Sequence, residues 1–196
     1  MALAQQKNAA SQMTTSALAL ARIVNASMSY ATLPPLPIQY AKMILASTLC
    51  GAAAGANIGS VRIIRELAKE QGGKPEATVW FDGAKLPVTS TARVNAMLSD
   101  AYASDDSDLR NVAHVGTCLT AVGLAVGERM DASGQETLSA MVAGYEAAGR
   151  ITEALAASSP SAGRGAGAIS GSVGRGFHAS AIVAFGGDPV EGDKFG

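Results

Sequence analysis

Small apolar residues recur at spacings of three and four along most of this chain, a period that suits closely packed helices and few other structures. Val112, Val115, Leu119, Val122 and Val126 form one such series, and Leu138, Met141, Val142, Tyr145 and Ala148 form another. The side chains fit the pattern. Hydrophobic residues make up 48% of the sequence but aromatic ones only 5%, so Ala, Val, Leu and Ile supply the core. Ala is also the strongest helix former.

Read in order, Leu18, Ala21, Val24 and Met28 mark a first helix that ends near Pro34-Pro35-Leu36-Pro37. A second helix starts within that cluster, where proline suits the first turn, and runs to about Gly55. A third, from Gly59 to Gln71, places Val61, Ile64, Leu67 and Ala68 on one face, with Arg62 and Glu66 four apart on the wetter side. Gly72-Gly73 stops it. The period then changes. Ala77 to Phe81 alternates, Asp82-Gly83 has the form of a two-residue turn, and Ala84 to Leu86 returns, which predicts a small β-hairpin near 77–88. Thr89 or Ser90 is the expected cap of the helix through Ala92, Val94 and Leu98.

Ser133-Gly134-Gln135-Glu136 has the form of a capping box and opens the helix through Tyr145. The short connection at Asp131–Ser133 makes that helix and its predecessor an antiparallel pair. A loop rich in Gly and Ser follows from Ser158 to Gly176, carrying Arg164 and Arg175, before a helix start at Phe177–Phe185. The expected organisation is a mainly α domain over 1–187, with an irregular tail at 188–196.

A chain of 196 residues can bury a core of its own as one domain. A formal net charge of −1 lacks the basic face of a nucleic-acid binder and offers no attraction to an anionic membrane. Cys50 and Cys118 have no metal-ligand spacing and read as two buried thiols in a reducing, cytoplasmic setting. The N-terminal residues make a poor signal peptide. Ile38–Ala56 contains Lys42, Ser47 and Thr48 and reads as a buried helix rather than a membrane span.

Chemistry concentrates in one place. Asp100, Asp105, Asp106 and Asp108 put four carboxylates in nine positions, and His114 follows at the start of a strongly apolar helix. Such carboxylates must be solvated, capping or paired. Either Asp105 or Asp106 caps the next helix, or the cluster orients a histidine for proton transfer. The sequence has only two histidines, His114 and His178. A hydrogen-bonded structural role is the ordinary reading of each, and catalysis is the alternative. No HxxxH or HxH spacing favours a metal. Gly163-Arg164-Gly165-Ala166-Gly167 lacks the Lys-Ser/Thr ending of a phosphate loop, so it reads as a linker or as a loop presenting Arg164 or Arg175 to an anion.

An ordered set of stretches resembles the MmgE/PrpD family, which includes 2-methylcitrate dehydratase, cis-aconitate decarboxylase and iminodisuccinate epimerase. Leu45–Gly55 is similar to the family's early "LLDTLGxxLAG" helix, and Ala92–Leu98 to its "A-x-x-N-G-x-L-x-H" helix. Ala103-Ser104-Asp105-Asp106-Ser107 falls on the "DFDDT" loop and His114 on the "HPS" after it. Ala132–Ala147 is similar to "SGxxLLxAxVAGYEV", and Arg175-Gly176-Phe177-His178 to "RGFHPT". The likeness spans Met13–Gly187. It departs from the pattern at Ala103, where the family usually has Asp, at Asp100, where His is common, at Ser107 for Thr and at Ala179 for Pro.

The resemblance implies the N-terminal part of a helical domain, with the family's α/β lid domain absent from these residues. It also implies a lyase acting on a small polycarboxylate by removing a proton next to a carboxylate, with epimerase or decarboxylase chemistry as alternatives. A helical fragment that dimerises without catalysis is a further reading. On this pattern His114, His178, Asp105 and Asp106 are the catalytic candidates, and Ser107 and Arg175 bind substrate. No cofactor or metal is implied, and a homodimer is expected.

Overall fold

A computed structural model describes residues 19, 22–24, 28–108 and 114–158 of the chain. Residues 22–24 are helical. The following elements are α1 (Pro35–Gly55), α2 (Gly59–Gln71), β1 (Ala77–Thr78), β2 (Lys85–Leu86), α3 (Val88–Asp100), α4 (Val115–Arg129) and α5 (Gly134–Ser158). The protein is mainly helical, with one small antiparallel hairpin, as the spacing predicts.

Helix α1 starts on Pro35, whose missing amide hydrogen would be unused in a first turn. It meets α2 at a bend of 94° across the 56–58 connection. Among the described residues no single helix is long and apolar enough to cross a membrane. One face of α1 packs on α3 through small residues. A Cβ on Gly55 would collide with the Leu98 carbonyl, so glycine permits the close approach of these two backbones. The other face carries Leu36, Tyr40 and Met43 in the open, so α1 is half-buried rather than a wholly buried helix.

Ala52, Val61, Ala68, Val79, Leu86, Val94 and Leu98 join α1, α2, the hairpin and α3 in one core. The hairpin pairs Ala77 with Leu86 and Thr78 with Lys85. Its turn is wider than the expected Asp82-Gly83 pair: Val79 donates to Ala84 at 2.8 Å, leaving Trp80 to Gly83 outside the ladder, with Phe81 and Gly83 at positive φ. Neither Thr89 nor Ser90 caps α3, because the helix already begins at Val88 after Pro87. Asn95 on α3, fully buried, holds the hairpin instead. Its Oδ1 accepts from the Trp80 amide at 3.0 Å and its Nδ2 donates to the Thr78 carbonyl at 3.1 Å.

Two local expectations need correction. Leu67 is 45% exposed, because Val61 and Ala68 define a narrower buried face on α2 than the spacing suggested. Arg62 and Glu66 are both exposed, as expected of the wetter side, and Glu66 there meets Arg65 at 3.5 Å and Lys69 at 3.3 Å. Cys50 lies on the open side of α1, so only Cys118 is partly buried.

Helices α4 and α5 form the expected antiparallel pair. Leu119 lies over Gly144 and Met141 over Gly123, so residue numbers rise on one helix as they fall on the other. The capping box is present: the Ser133 amide donates to Glu136 Oε2 at 2.7 Å, and the Glu136 amide donates to Ser133 Oγ at 3.3 Å.

Candidate functional site

Helix α4 begins without a cap of its own. His114 occupies the N-cap position, and its ring makes no capping bond. The first turn is served instead by the acidic loop that leaves α3. The Gly116 amide donates to Asp106 Oδ2 at 3.3 Å, and the Thr117 hydroxyl donates to Asp105 Oδ2 at 3.0 Å. Two adjacent carboxylates therefore sit at the positive end of a helix, where its unpaired amides and dipole favour negative charge.

The two carboxylates have different surroundings. Asp105 Oδ2 also meets His114 Nδ1 at 2.9 Å. The Asp105 side chain is 7% exposed and the His114 side chain 54%, so a buried carboxylate steadies a ring that faces solvent. The Asp106 backbone carbonyl lies 3.2 Å from the same Nδ1. Both neighbours can accept a hydrogen bond, a geometry that favours the Nδ1–H tautomer of a neutral ring. Asp106 turns its side chain inward. Oδ2 receives the Tyr145 hydroxyl from α5 as well as the Gly116 amide, while Oδ1 is buried without a hydrogen-bond partner.

The cluster has an electrostatic imprint nearby. Burial, then the negative charges of Asp100, Asp105 and Asp106, pushes the Cys118 thiol above its ordinary pKa. That thiol is thus a poor nucleophile. Among the described residues no group of three His, Cys, Asp or Glu side chains could hold a metal ion.

A cavity of about 520 Å³ lies elsewhere, lined by Leu45, Trp80, Leu124, Leu138, Lys42 and Thr137 beside Gly127 and Glu128. Gly127 is eleven residues along α4 from Gly116, about 16 Å away. The cavity thus meets α4 at its far end, while Leu45 in its wall also packs with Val115, Cys118 and Tyr145.

Comparison with known families adds a decisive observation: the model described as MmgE/PrpD N-terminal domain matches residues 11–184. The chain belongs to the MmgE/PrpD family. No curated protein and no solved structure matches it.

Within this MmgE/PrpD chain, the structure brings Asp105, Asp106 and His114 together at the start of α4. Ser107 is on the same loop with its side chain exposed. His178 and Arg175 lie outside the described residues, as do the Gly-rich loop around Arg164 and the tail at 188–196. Residue-by-residue reading did not single out Thr117, Gly116 or Tyr145. Tyr145 had one signal. It sits in an apolar helical stripe, and a tyrosine placed there must find a partner for its hydroxyl.

Proposed function

We propose that this chain supplies one wall of a lyase site that acts on a small polycarboxylate, with His114 moving a proton on the carbon next to a carboxylate. The observation that carries this reading is the 2.9 Å contact of Asp105 with Nδ1 of the half-exposed His114, which engages that nitrogen and so offers Nε2 as the base in the proposed step. In the proposed step the Nε2 lone pair takes the carbon-bound proton, and the electron pair passes into the adjoining carboxylate system. Asp105 then stabilises the imidazolium without taking its proton. In a dehydration the hydroxyl on the neighbouring carbon departs as water after protonation by a second acid, a role the family resemblance suggests for His178. Ser107 and Arg175 are the proposed contacts to substrate carboxylates.

A second reading, epimerisation, has one observation in its favour. Where the family usually carries the first loop aspartate, this chain has Ala103, exposed and at φ 52°. The loop thus offers one acid fewer for expelling a leaving group, while removal and return of a proton stay possible.

The test is hydrogen exchange in deuterated water with methylcitrate, citrate, cis-aconitate and iminodisuccinate. Deuterium in a recovered or epimerised acid supports proton removal, and loss of water from methylcitrate supports the lyase. No exchange with any of the four would refute both readings.

A further inference from the structure

The loop between α3 and α4 has little regular structure of its own over 103–107, so side-chain anchors must set where its carboxylates stand. Asp105 is anchored to α4 through Thr117 and His114. Asp106 is anchored to α4 through the Gly116 amide and to α5 through the Tyr145 hydroxyl. The 105–106 unit is consequently held from two helices. Its side chain at 105 and its carbonyl at 106 converge on one atom, His114 Nδ1, at 2.9 and 3.2 Å. The two Asp106 side-chain bonds fix where the 105–106 backbone lies, so without them that backbone is free to shift, and the Asp106 carbonyl and the Asp105 side chain shift with it relative to the ring.

We propose that Tyr145 is a positioning residue for His114: by holding Asp106 it keeps two acceptors on Nδ1 and so presents Nε2 as the base. This deepens the function proposed above and rests on it only for the use made of Nε2. Tyr145 need not touch substrate. Its hydroxyl acts from the middle of α5, so the packing of α5 on α4 controls the chemistry of the loop. The alternative is that Tyr145 only fills space, as its neighbour on the same cluster, Met141, does. A hydroxyl bonded to a carboxylate makes a different demand from a packed ring, and Tyr145→Phe separates the two.

The experiment follows the imidazole nitrogens of the ¹⁵N-labelled chain at neutral pH, with His114 assigned by the signal lost in His114→Gln. In the unaltered chain the expected pattern is a protonated Nδ1 and an unprotonated Nε2. Tyr145→Phe is expected to move His114 toward the Nε2–H form that free histidine favours, and to speed exchange of the Gly116 amide at least about tenfold, since a charge-assisted anchor of its acceptor is lost. Asp106→Asn, which removes the acceptor's charge from the same bond, should move the ring the same way and serves if Tyr145→Phe does not fold. A wild-type pattern at His114 in a folded Tyr145→Phe chain overturns the proposal, even if its stability falls, and so does an Nε2–H tautomer in the unaltered chain. These readouts need no substrate. A ring that responds in a chain that fails the deuterium test would uphold Tyr145 as a positioning residue and refute the lyase and epimerase readings alone.

Discussion

The Asp106 carboxylate occupies the space in which a side chain on Gly116 would have to begin. A Cβ there would collide with Asp106 and with Ile44 of α1. Gly116→Ala gains helix propensity worth about 1 kcal/mol, yet the clash outweighs it, since overpacking of this kind costs about 1–3 kcal/mol. The expected result is a net loss of stability in urea unfolding. Gly134→Ala is the control. Nothing lies within 4 Å of its added Cβ, and a gain of about 0.4–1 kcal/mol is expected.

That relationship also marks the limit of what could be read along the chain. The capping box of α5 was legible because Ser133 and Glu136 are three residues apart, and local spacing determines their meeting. The cap of α4 was not, because Asp106 and Gly116 are ten residues apart and meet only when the loop folds back. Within the acidic cluster Asp106 accepts from the first turn of α4, while Asp105 lies against His114. Which would do which depended on Tyr145 and Thr117, whose positions follow from the packing of α4 and α5. The hairpin shows the same division. Its alternation was visible, but its wide turn is set by Asn95, on a helix further along the chain.

Asn95 should be costly to replace. Asn95→Ala strips partners from the Trp80 amide and the Thr78 carbonyl, next to a side chain that is fully buried. Unsatisfied buried groups and the lost packing together predict a destabilisation of about 2–4 kcal/mol. Urea unfolding should show a lower midpoint with an unchanged slope.

The Asp105–His114 pair makes a prediction about rate. Asp105→Asn keeps the shape but removes the charge that steadies the ring as it takes up a proton. Exchange of substrate protons with solvent should fall by roughly 10²-fold or more, the usual contribution of a positioned acid or base. Thermal unfolding should change little by comparison. An exchange rate equal to that of the unaltered chain would remove His114 and Asp105 from the proposed step.

Glu128 ties stability to pH. Burial alone would raise its pKa, but the Thr78 hydroxyl, Lys85 and the Thr78 amide stabilise the charged form and bring it below the ordinary glutamate value. The Thr78 bonds measure 2.6 and 2.7 Å and the Lys85 contact 2.9 Å. A folded-state pKa below the unfolded one means that the contribution is present above the unfolded value of about 4.3 and is lost as pH falls through the lower, folded value. Melting temperature should therefore drop on acidification below about pH 4.3, and Glu128→Gln should flatten that part of the profile.

Thiol labelling can report on the acidic cluster without any substrate. Cys50 is exposed on α1, whereas Cys118 is partly buried, and burial together with Asp100, Asp105 and Asp106 disfavours its thiolate. Because the thiolate is the reacting species, an alkylating reagent at neutral pH should modify Cys50 well before Cys118. The cause can then be divided. Asp105→Asn and Asp106→Asn each remove one nearby negative charge, so each should speed Cys118 labelling while leaving Cys50 unchanged. Were burial the whole cause, both variants would label Cys118 at the original rate. A faster Cys118 in both variants, with the chain still folded, would mean that both carboxylates contribute to the field at the Cys118 thiol.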